Sequence, residues 1–175
     1  VGAAILVLTG CVDEKKGIKN IPWGTLLMIT GVGVLVNVMD TLGGISLISD
    51  FLMSVMTKAT AVPIMAATSG ILSWVSSTTG VVMPTLYPVA AEIASNIGAN
   101  YVELISAITA TSFAAAISPL STGGAIILSS YSAAKELEIE EQNRLFKTLF
   151  LLSVGNVAIN VVLAALGVFS LYGLV

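Results

Sequence analysis

Residues 59–91 contain no charged side chain, and residues 104–134 repeat that pattern. As one straight helix, the first run alone would extend about 50 Å, well beyond a hydrocarbon core of about 30 Å. Each run is interrupted near its middle by small hydroxylated residues and glycine. The first carries Ser76-Ser77-Thr78-Thr79-Gly80, and the second Ser118-Pro119-Leu120-Ser121-Thr122-Gly123-Gly124. Two more uncharged runs cover residues 21–39 and 148–175. What remains cannot coat a soluble surface: charged residues are 10% of the chain and hydrophobic ones 56%, against about 25% charged in a typical soluble domain. The expected class is all-α, a polytopic membrane protein. A soluble enzyme, a nucleic-acid binder and a disordered linker are excluded.

The rare residues narrow the chemistry. There is no histidine, and Cys11 is the single cysteine. That removes histidine catalysis, His/Cys zinc sites and intrachain disulfides, so no resident cofactor or metal is expected. Cys11 reads as a small apolar packing residue. An intramembrane enzyme would need a nucleophile with a base, or metal ligands, at membrane depth, and the chain offers neither.

Charges divide the chain. Residues 1–12 are apolar but too short to span, so they read as the end of a membrane helix in a piece of a longer protein. Residues 13–20 form a polar loop. Residues 21–39 form a spanning helix, with Asn20 as cap, Pro22 in the first turn and Trp23 at the interface. It stops near Asp40 and Gly43-Gly44. Residues 45–57 are too short to cross, and they read as a helix lying near the membrane interface. Asn156 and Asn160, four apart, share a helix face and read as helix-to-helix contacts. Glu92 and Glu103 flank an outer loop and are expected to be exposed. Residues 135–147 read as a charged loop, its acids as a solvated loop and helix start, and 148–175 as the last transmembrane helix. The organisation is thus 1–58 scaffold-type helices, 59–134 the binding region, and 148–175 the closing span.

Lys and Arg favour the cytoplasmic side. Three of the seven lie in residues 13–20 and three in residues 135–147. Both stretches therefore face the cytoplasm, and the chain between them crosses an even number of times. Residues 22–40 and 101–134 are one crossing each. Residues 59–91 then read as a re-entrant hairpin with its tip at Ser76–Gly80, and residues 101–134 as a broken transmembrane helix.

A break in a membrane helix is tolerated only where protein or a water-filled cavity satisfies the freed backbone groups. Helix starts at such breaks suit anions, helix ends suit cations, and discontinuous helices build the sites of secondary transporters. Ser76, Ser77, Thr78, Thr79, Gly80, Ser121, Thr122 and Gly123 are the candidates for a substrate carboxylate. Ser77, Thr79, Ser118, Pro119, Thr122 and Gly124 are the candidates for a coupling cation, Na⁺ or H⁺. The competing reading makes both clusters kink and packing devices in a channel-forming or structural subunit.

Four features carry a family resemblance: IPWGTLLMITGVGVLVNVMDTLGG (residues 21–44), SSTTGVVMPTLYP (residues 76–88), SPLSTGGAIIL (residues 118–128), and their order and spacing. The chain resembles the C-terminal half of an ion transporter superfamily carrier, of the malonate/dicarboxylate-carrier-like permease type, with divalent anion/sodium symporters as more distant relatives. Those symporters have a Ser-Asn-Thr hairpin tip, where this chain has Ser77-Thr78-Thr79 without the amide. The resemblance implies the second of two inverted repeats, with the N-terminal half supplying the rest of the site. It further implies homodimers, elevator-type symport of a small di- or monocarboxylate, and a multi-pass location, with the bacterial inner membrane as the expected place. Membrane lipids are then the surroundings, and nucleic acid is no partner.

Overall fold

A computed structural model describes residues 9–10, 13–19 and 23–170. The expectations for residues 1–8, Cys11, Val12, Asn20, Ile21, Pro22, the Trp23 side chain and residues 171–175 fall outside what is described. Within them the chain is helical, and no strand occurs among the described residues. The elements are α1 (Glu14–Lys19), α2 (Trp23–Thr41), α3 (Gly44–Val55), α4 (Ala61–Val75), a π-helical turn (Thr78–Val82), α5 (Met83–Ile97), α6 (Tyr101–Ala115), α7 (Thr122–Lys135) and α8 (Ile139–Ala165).

The polar stretch 13–20 is not wholly loop, since α1 occupies most of it. Its Glu and Lys residues are good helix formers. α2 ends at Thr41, near the expected Asp40 and Gly43, and Gly43, which caps the start of α3, takes a left-handed conformation (φ 74°). Residues 33–41 and α3 then meet at a 78° bend. α3 buries Ile45, Ser49 and Leu52 and leaves Asp50 exposed. The same side carries Met56 into a core shared with Met65, Leu86, Val89, Ile93, Leu104 and Ile108.

Both uncharged runs are broken where the hydroxyl clusters lie. α4 ends at Val75 and α5 is preceded by the π turn; α6 ends at Ala115 and α7 starts at Thr122. α4 packs chiefly on α6 and α8, whereas α5 packs on α3 and α6. The two arms of the first run therefore lean on α6 more than on each other. Their outer ends nevertheless meet, because Lys58, Gly98, Asn100 and Glu103 line one polar pocket of about 390 Å³. Residues 59–97 thus return to the end of the bundle where they began.

The charged stretch 135–147 contains the helix start expected of its acids, but its loop is shorter than expected, since only residues 136–138 are non-helical. α7 runs to Lys135, Glu136 turns the chain at φ 51°, and α8 starts at Ile139. A reciprocal capping box between Glu138 and Glu141 fixes that start. It satisfies two N–H groups at once and makes the acids part of the helix. α8 also stops earlier than expected, at Ala165, followed by Gly167 at φ 76°. It is a helix long and apolar enough to cross a membrane. Two close approaches lock it to the bundle. Gly70 on α4 leaves no room for a Cβ beside Val157 and Thr111, and the rings of Trp74 and Phe150 sit 6.0 Å apart.

Glu92 and Glu103 are half-buried rather than exposed. Glu92 accepts a 2.8 Å hydrogen bond from the buried Ser49 hydroxyl, which ties α3 to α5. The sequence places Glu92 at the end of an apolar run, but only the folded packing of α3 on α5 brings Ser49 to it.

Candidate functional site

A helix that ends inside a bundle leaves its last carbonyls without intrahelical donors. At the end of α6 these carbonyls are taken up in sequence. Ser112 O accepts from the hydroxyls of Ser73 (2.7 Å) and Thr78 (3.1 Å). Phe113 O accepts from Ala116 N–H. Ala114 O accepts from the Asn156 amide at 3.4 Å. Ala115 O accepts from Ser118 N–H and the Ser153 hydroxyl. Ala116 O accepts from the Ser121 hydroxyl at 2.6 Å. The donors come from α4, the π turn, α8 and the break itself. Asn160, by contrast, donates to Asn156 O on its own helix.

The Ser118 hydroxyl ties the two breaks together. It donates to Trp74 O, in the last turn of α4, at 2.8 Å. Ser73 and Thr78 hydroxyls lie 2.7 Å apart, so α4, the π turn and α6 are knitted at one level. The Ser153 bond puts α8 at that same level, five residues, about 8 Å, past Thr148, where the uncharged part of α8 begins. Both breaks therefore lie inside the apolar layer of the molecule.

Each break restarts as a helix with the same cap. Ser77-Thr78-Thr79-Gly80 and Ser121-Thr122-Gly123-Gly124 share the order Ser-Thr-X-Gly. Ser77 Oγ accepts from Gly80 N–H at 3.1 Å, and Ser121 Oγ accepts from Gly124 N–H at 3.3 Å. Ser77 O also receives Val81 and Val82 N–H, the wide winding of the π turn. Such turns recur at functional sites. The first-turn N–H groups ahead of the capped glycines have no carbonyl one turn back to bind. They leave two positive helix ends for a ligand.

Both helix starts open into one pocket of about 230 Å³. Of the residues expected from the sequence, Ser76, Ser77, Thr78, Thr79, Ser121, Thr122 and Gly123 line it. Gly80, Ser118, Pro119 and Gly124 are buried behind it. The hydroxyls divide by their partners. Ser76 donates to Leu72 O, while Thr78, Ser118 and Ser121 are held by the bundle. Among the described residues, the Thr79 and Thr122 hydroxyls have no protein partner, and both residues are exposed at the pocket. Among the described residues, no charged side chain lines the pocket and no group of His, Cys, Asp or Glu could hold a metal ion.

Phe113, Ala116 and Ile126 also line the pocket and were not expected from the sequence. A search for polar breaks in apolar runs passes over apolar neighbours. The available signal was Ile126, one turn after Thr122 on the same helix face.

No curated protein and no solved structure gives a match to this chain. A family match covers residues 1–117, which includes the first break and ends one residue short of Ser118. That match takes in 117 of the 175 residues, and its family is one of membrane carriers rather than enzymes, in line with the resemblance to ion transporter superfamily carriers. By that match, the chain belongs to the citrate transporter family (CitMHS).

Proposed function

We propose that the chain forms the binding half of a secondary carrier for a small organic anion, a di- or monocarboxylate or the citrate of the family name. The observation that carries this reading is the convergence of two Ser-capped helix starts on one uncharged pocket. Helix N-termini present N–H donors and a positive dipole end, which suits carboxylates. The Thr79 and Thr122 hydroxyls, which have no protein partner among the described residues, add a donor on each side.

Among the described residues, the pocket supplies dipoles but no fixed positive charge. An anion taken to that depth carries a large desolvation cost unless a cation accompanies it. This favours symport with Na⁺ or H⁺. The rigid knot of α4, the π turn, α6 and α8 favours movement of the site as a unit, as an elevator mechanism requires. The family supports an integral membrane location, for which the bacterial inner membrane is the proposed place.

The test is uptake of radiolabelled citrate by the full-length protein in proteoliposomes, with and without imposed Na⁺ and pH gradients. Thr79→Ala and Thr122→Ala are each expected to lower uptake at least tenfold while eluting from size-exclusion chromatography like the parent. Parental uptake from both variants would refute the site assignment.

A further inference from the structure

The pocket has an apolar wall as well as a polar one. Phe113 stands in the last turn of α6 and Ile126 one turn into α7. They are 52% and 60% exposed, yet Ser112 and Ala115 beside Phe113 are fully buried. The ring therefore points out of the bundle, on the side where the pocket opens. Ile126 follows Thr122 by four residues and shares its helix face. Both side chains line the pocket with the two caps.

The two walls do different chemistry. The face of an aromatic ring is electron-rich and disfavours a carboxylate laid over it. Acid groups are thus directed to the N–H and hydroxyl side, and the carbon skeleton to Phe113 and Ile126. A substituent on the side of the skeleton that lies against this wall would meet the Phe113 ring and the branched Ile126 side chain, both of which line the pocket.

We infer that Phe113 and Ile126 set the size selectivity of the carrier, by packing on the substrate's carbon skeleton and excluding bulkier acids. This rests on the carrier reading, whose own failure appears in a separate arm of the test. Full-length protein in proteoliposomes takes up radiolabelled citrate against unlabelled succinate, tricarballylate and phenylsuccinate. The readout is the ratio of phenylsuccinate to succinate inhibition constants. Phe113→Ala and Ile126→Ala, with Phe113→Leu as the milder change, are expected to shift that ratio at least tenfold toward phenylsuccinate. One misfit methylene in an apolar pocket is worth about 10–200-fold. An unchanged ratio in all transporting variants overturns the inference and leaves the carrier reading standing, with the two side chains as lipid contacts. Absence of saturable citrate uptake by the parent protein overturns both.

Discussion

Gly124 shows how tightly the second break is built. A Cβ there would run into the carbonyls of Ser118 and Ile117, both backbone. Backbone cannot yield as a flexible side chain can, so the helix start would have to move. Gly124→Ala is expected to destabilise the protein by about 1–3 kcal/mol, read as a lower thermal midpoint in detergent. Gly155 on α8 is the internal control, since nothing lies within 4 Å of its Cβ position. Gly155→Ala is expected to raise stability by up to about 1 kcal/mol through helix propensity. Ser118 offers a second test at this scale. Its hydroxyl satisfies Trp74 O between the two breaks. Ser118→Ala leaves a buried carbonyl short of a donor, at a cost of about 1–2 kcal/mol. Thr122→Ala, whose hydroxyl has no protein partner among the described residues, is expected to leave the midpoint within about 0.5 kcal/mol. A comparable midpoint for both variants would mean that Ser118 does not hold the breaks together.

At the scale of the elements, the breaks were legible because helix geometry forbids 33 uncharged residues from being one simple span. The hydroxyl and glycine clusters then marked where the winding stops, and α4, α6 and α7 begin or end there. Other boundaries were less legible. Charge in residues 135–147 looked like loop, because hydropathy reports the medium and not the winding, and a charged helix leaving the membrane reads the same as a loop. The capping box that starts α8 was present in the sequence as Glu138 and Glu141. Its removal makes a prediction: Glu138→Ala is expected to fray the first turn of α8, at about 0.5 kcal/mol, the low end of the range for caps, seen as faster amide exchange near residues 139–142. The partners of Ser49, Ser118 and Ser153 were not legible. Each donates to a group about forty residues away, and no local pattern encodes such a meeting.

Over the whole molecule, chain direction and depth follow from where the elements touch. Lys58 and residues 98–103 share one end. α6 runs inward from that end to the break, and α7 continues for 14 residues, about 21 Å, to Lys135. α8 returns from Ile139, reaches the level of the break at Ser153, and brings Ala164 and Phe169 beside Ala66 and Ala107. The distance from Ile139 to Ser153 is again about 21 Å, so α7 and the first half of α8 are matched in height. The end holding Lys135, Arg144 and Lys147 is then opposite the end holding Lys58 and Gly98. Because cations favour the cytoplasmic side, Asn96 and Asn100 should face outward and Asn143 inward, and all three are exposed. Single cysteines at these positions, on a cysteine-free full-length background, report the sides directly. A membrane-impermeant maleimide added to intact cells should label positions 96 and 100, and label position 143 only after permeabilisation. Labelling of 100 and 143 from the same side would require residues 101–138 to cross an even number of times. The second break would then sit at the tip of a loop, and the two helix starts could not face one site from within a continuous span.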